Sequence, residues 1–89
     1  MKYLKTYENF NEKWFNSDKT KLDCADNKLT ILPELPDSLT YLNCYNNSLT
    51  ELPKLPDSLK YLSLYNNQLT ELPILPDNIE FLYFISIIY

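Results

Sequence analysis

The groups in this 89-residue chain that could do covalent or metal chemistry are few: Cys24 and Cys44, and the aspartates Asp37, Asp57 and Asp77. Neighbours within each set stand twenty residues apart, and the chain has no histidine. A reactive thiolate needs a cationic, partly exposed setting, and a zinc site needs more ligands than two sulfurs. Here the cysteines hold one position in "LDCADN" and "LNCYNN", where the third such stretch, "LSLYNN", has Leu64. Interchange with leucine marks core packing. Adjacent equivalent positions are close enough to consider a disulfide. The first twenty residues, however, are charged throughout with no secretory apolar stretch, so reduced thiols are expected. The three aspartates sit in Pro-Asp-Ser/Asn contexts that read as solvated turns, although a cation could bridge them along one edge. Asn46-Asn47-Ser48 fits a glycosylation triplet that a non-secreted chain would not use. No catalytic constellation and no cofactor site emerges.

The spacing of these residues leads to the elements that must carry them. Aligned on a period of 20, the chain divides into units 22–41, 42–61 and 62–81 and a partial unit 82–89; the first two units agree at 13 of 20 positions and the next pair at 12 of 20. Such self-similarity defines a repeat architecture. In "YLNCY" the alternation has period two, so Leu42 and Cys44 face one way and Tyr41, Asn43 and Tyr45 the other, as in a short strand. Strands from successive units can then pair in parallel, about 4.8 Å apart, with each leucine covering its counterpart. Asn27, Asn47 and Asn67 form a column whose amides can bond the backbone where the chain turns inward. Twenty residues leave no length for a helix on the way back. Leu-Pro-x-Leu-Pro instead fixes φ twice and removes two donors, which predicts an extended, polyproline-like return whose leucines, Leu52 and Leu55, still reach the core. With no glycine in the chain, positive φ falls to Asn and Asp, and the pairs Asp26-Asn27, Asn46-Asn47 and Asn66-Asn67 are the places for it.

The pattern Leu-x-x-Leu-x-Cys/Leu-x-x-Asn-x-Leu, as in Leu39, Leu42, Cys44, Asn47 and Leu49, with Leu-Pro-x-Leu-Pro in a 20-residue unit, resembles the bacterial-type leucine-rich repeat. The resemblance covers residues 19 to about 84 and is best known from secreted bacterial effectors. It implies a leucine-rich-repeat solenoid, with short parallel β-strands on a concave face that binds target proteins and an extended convex side. Some effectors use the repeats to recruit substrate for a separate ubiquitin-ligase domain; no such domain follows here, so ligase activity is not implied.

The ends of a repeat stack need caps. Tyr3, Tyr7, Phe10 and Trp14, spaced four, three and four, form one stripe of an amphipathic helix, so residues 1–18 are expected to be an N-terminal helical cap and 19–89 the repeats. A membrane-surface helix would need a strongly basic polar face, whereas Glu8 and Glu12 oppose Lys2, Lys5 and Lys13. At the other end, Ile87 stands where the column asparagine would fall and Tyr89 where the next core leucine would, within the uncharged "FLYFISIIY". That stretch is read as a lid, a self-association surface or the remnant of a truncated longer array.

Charge narrows the partner class. The net charge is −4, and residues 22–89 carry three lysines against nine acids, −6, while residues 1–21 carry five lysines against three acids, +2. An acidic repeat body argues against nucleic acid. No apolar run is long enough for a membrane span, and the expected location is the cytoplasm of the producing cell, or of a host cell if the chain is delivered as an effector. The outward strand positions form three columns: Lys21, Tyr41, Tyr61, Phe81; Asp23, Asn43, Ser63, Tyr83; and Ala25, Tyr45, Tyr65, Ile85. Aromatics dominate where polar residues are usual, and aromatics are favoured interface anchors. The candidate binding residues are therefore Tyr41, Asn43, Tyr45, Tyr61, Ser63, Tyr65, Phe81 and Tyr83. The expectation is a non-enzymatic module for an unidentified protein partner. The alternatives are a self-assembling unit joined at its apolar C-terminal end, or cross-strand pairs that merely stabilise the sheet.

Overall fold

The computed structural model describes residues 9–71 and 73–84. Each unit contributes one three-residue strand: β1 (Lys21–Asp23), β2 (Tyr41–Asn43), β3 (Tyr61–Ser63) and β4 (Phe81–Tyr83). They form one parallel sheet in the order β1-β2-β3-β4, with Leu22 opposite Leu42, Leu42 opposite Leu62, and Leu62 opposite Leu82. The twenty-residue sequence period is thus one step of the sheet. Leu22, Leu42 and Leu62 are completely buried, joined by Leu29, Leu49 and Leu69 and by Leu39 and Leu59 from the same places in each unit.

The return legs, 31–36 and 51–56, carry neither helix nor strand, and Leu32, Leu35 and Leu55 still reach the core. Leu52 packs against it half-buried. At each Pro-Asp turn the chain closes on itself: Leu39 N–H donates to the Pro36 carbonyl at 3.2 Å and Leu59 N–H to that of Pro56 at 3.1 Å. The next residue ties the turn to the preceding unit. Ser38 Oγ donates to the Lys19 carbonyl, Ser58 Oγ to that of Asp37, and Asn78 Nδ2 to that of Asp57.

Asparagine does the corresponding work inside. Asn47 Oδ1 accepts from the amides of Asn27 and Leu29 at 3.0 and 2.9 Å, while its Nδ2 donates to the carbonyls of Cys24 and Cys44. One buried side chain therefore satisfies backbone groups of two adjacent units. Asn67 repeats the pattern with Leu49, Cys44 and Leu64. The first member of each expected pair takes the left-handed conformation: Asp26, Asn46 and Asn66 have φ of 62°, 59° and 61°. Lys19 and Lys28, at 57° and 58°, do so as well, and nothing in their residue type foretells it.

Over residues 9–18 the expected N-terminal helix is corrected by the structure. Among the described residues before β1 there is one 3-10 turn, Glu12–Trp14, and no α-helix. Asn11 is extended and its side chain caps Lys13 N–H, so the helical turn begins only after it. Phe15 is extended again because it bridges antiparallel to Leu22. Beyond it Asp18 accepts from the amide and hydroxyl of Thr20, a local alternative to helix that aspartate favours. The segment still packs on the first unit: Phe10, Trp14 and Phe15 lie against the core, Phe10 edge-on to Trp14 at 5.1 Å. Asn16 closes the outer edge of β1, its N–H donating to the Lys21 carbonyl and its Oδ1 accepting from Lys21 N–H. Tyr3 and Tyr7 of the stripe, and Ile85, Ile87 and Tyr89 at the other end, lie outside the described residues.

Candidate functional site

The open face of the sheet is built by alternation. With Leu22, Leu42 and Leu62 in the middle of β1, β2 and β3 turned inward, the residues on either side of each are directed to the other face. The first column stacks as the repeat dictates: Tyr41 and Tyr61 lie nearly parallel, 9° apart with ring centroids at 4.3 Å. Phe81 continues it in a tilted contact with Tyr61 at 6.5 Å. In the third column Tyr45 and Tyr65 stack at 5.5 Å and 6°. Tyr83, from the middle column, leans toward Tyr61 at 5.6 Å and 48°. Between the tyrosine columns lie Asn43, whose Nδ2 reaches Asp23 Oδ1 at 3.3 Å, and Ser63, which is 6% exposed.

These residues line an open depression of about 550 Å³ walled by Tyr45, Tyr61, Tyr65 and Tyr83, with Ser63 as its buried member and Asn43 and Leu82 also in the lining. Six of the eight sequence-derived candidates meet around it. The other two, Tyr41 and Phe81, flank Tyr61 in the first column. Leu82 is the residue that sequence reading missed, since its position in the unit marks it as core. It is 39% exposed, whereas Leu22, Leu42 and Leu62 are at 0%. The one sequence signal for it is its place in the incomplete unit.

The electrostatics of this face are mild. Lys21 Nζ lies 5.8 Å from the centroid of the Tyr41 ring, at the N-terminal end of the first column. Burial, together with the nearby Tyr61 hydroxyl and Asp23, holds the Tyr41 hydroxyl above its ordinary value. The thiols are on the inward side. Cys24 and Cys44 are free and buried; burial pushes Cys24 up to about 12 and raises Cys44 as well, so neither is a thiolate near neutrality. Cys44 Sγ donates weakly to the Ser63 carbonyl. The glycosylation-type Asn46 has its amide held between Asp26 and Asn66. Among the described residues no three His, Cys, Asp or Glu side chains gather as a metal site, and no helix is long and apolar enough to cross a membrane. On the return side a larger groove of about 800 Å³ runs between the second and third units, lined by Leu55, Leu69, Pro53, Pro73 and Leu75 together with acidic residues such as Glu51 and Glu71.

Comparison with known proteins bears on the middle of the chain. Residues 37–77 match the family model for Leucine Rich repeats (2 copies). The match runs between two of the turn aspartates and spans two sheet steps. Together with the four-stranded parallel sheet it supports a leucine-rich-repeat solenoid, a class whose members are generally protein-interaction modules. No curated protein and no solved structure matches the chain.

Proposed function

We propose that this chain is a non-enzymatic interaction module that holds a segment of a protein partner against the tyrosine face of its sheet, the face that is concave in the bacterial-type repeats it resembles. The observation that carries this reading is the depression among Tyr45, Tyr61, Tyr65 and Tyr83: large amphipathic side chains, partly exposed and packed ring against ring on the open face of the sheet. Rigid aromatics lose little side-chain entropy on binding and are the commonest interface anchors. Stacking along the columns also stabilises the sheet, but a stabilising role alone asks for no cavity between the columns. We place the module in the cytoplasm of the producing cell or of a host, and infer that nucleic acid and membrane surfaces are not its partners, in keeping with the −6 charge of residues 22–89.

The test is selection of binding peptides from a displayed random library, followed by substitution. Tyr61→Ala and Tyr65→Ala, each first shown by circular dichroism to be folded, should each lose about 2 kcal/mol or more of affinity for the selected peptides. Lys54→Ala, on the return leg, should bind as the parent does. Loss in the Lys54 variant with retention in both tyrosine variants would move the binding surface to the proline-rich side.

A second reading is self-assembly through the C-terminal end, favoured by the exposure of Leu82 in the terminal strand. It predicts a dimer that Leu82→Glu dissociates. The interaction-module reading predicts that both forms sediment as monomers of 10.6 kDa for the parent.

A further inference from the structure

The cavity on the tyrosine face has a chemistry more specific than that of an apolar slot. Four of its walls are phenol rings, whose faces and hydroxyl oxygens are electron-rich, and no lysine is in its lining. Ser63 is nine-tenths buried beneath them, and its hydroxyl oxygen is able to accept as well as donate a hydrogen bond. The same face shows what such rings accept, since Lys21 Nζ stands over Tyr41 at the start of the first column. At the third column the corresponding residue is Ala25, and among the described residues no lysine lies over the ring of Tyr45 or Tyr65. The chain contains eight lysines and no arginine, and its repeat body carries −6 over residues 22–89.

From these observations we propose that the cavity receives an arginine side chain of a basic segment in the protein partner, with the guanidinium lying against Tyr65 and Tyr83 and an N–H donated to Ser63 Oγ. The proposal rests on the open-face reading above and names its ligand class. Cations are attracted to ring quadrupoles within about 6 Å, and the attraction grows as water is excluded. A guanidinium suits this cavity better than an ammonium, because it is planar, stacks on aromatic faces and carries several donors for the tyrosine and serine hydroxyls. The acidic body adds long-range steering toward basic chains and away from acidic ones.

The experiment compares two capped pentapeptides, acetyl-Ser-Ala-Arg-Ala-Ser-amide and its twin with citrulline, which keeps the shape and removes the charge. Binding to the full chain is followed by NMR titration up to about 10 mM peptide, a range suited to weak single-anchor contacts. The arginine peptide should bind about tenfold more tightly than the citrulline twin, weaken as salt rises, and shift the amide signals of Ser63 and Tyr65. Tyr65→Leu and Tyr83→Leu should each remove that preference, and Ser63→Ala should reduce it in a chain whose fold is undisturbed. Equal binding of the two peptides, still dependent on Tyr65, overturns the cation claim and leaves the tyrosine face as the binding surface. Arginine binding that persists in both tyrosine variants overturns the cavity and the face together. No binding of the arginine peptide across the range overturns the cation claim alone.

Discussion

Asn47 and Asn46 are adjacent in sequence and do different work. The buried Asn47 bonds five backbone groups across two units, while the exposed Asn46 adopts positive φ and links Asp26 to Asn66 on the surface. Asn47→Ala strands buried donors and acceptors and should cost about 1–3 kcal/mol in urea unfolding, with the tyrosine face unaltered. The cysteines make a second residue-scale prediction. Their folded values lie above the ordinary value of 9.0, Cys24 at about 12. Above that ordinary value the folded chain therefore holds protons that the unfolded chain releases, so stability is full below it and declines as pH rises toward the folded values. Urea midpoints should fall between pH 8 and pH values near 11. Iodoacetamide at pH 8 should modify the native thiols about a hundredfold more slowly than those of the urea-unfolded chain.

At the scale of elements, the strands were legible because alternation and the twenty-residue period point to the same three outward columns, and because a core leucine appears at each step. The positive-φ sites at Asp26, Asn46 and Asn66 were legible from residue type alone. The N-terminal element was not. A 4-3-4 aromatic stripe reads as a helix face, but Phe10 and Trp14 realise their spacing as an edge-to-face pair around a single 3-10 turn. Tertiary pairing decided the matter: Phe15 is drawn into a bridge with Leu22, and Asn16 and Asp18 take backbone partners that a helix would deny them. The aromatic covering of the first unit survives this change of conformation. Phe15→Ala should accordingly lower stability by about 1–3 kcal/mol, a half-buried share of the usual phenylalanine loss, and Lys13→Ala should leave the melting temperature within error. The candidate face was readable as columns; the depression between them was not, because it depends on the lean of Tyr83 toward Tyr61 and on the exposure of Leu82.

Over the whole molecule, one unit repeated along one axis makes two faces of different chemistry. The sheet face gathers tyrosines with a buried serine, and the return face gathers prolines with acids and Ile74, which is 93% exposed. The stack is also unequal along its axis: Leu22 is covered at one end and Leu82 is partly open at the other. The central claim is that binding belongs to the sheet face. Its most direct test is an NMR map of the isotope-labelled full chain titrated with a peptide selected for binding it. The largest amide shifts should fall at Asn43, Tyr45, Ser63 and Tyr65, with Lys54 and Ile74 unmoved. Shifts concentrated at Lys54 and Ile74, with the tyrosine columns silent, would contradict it.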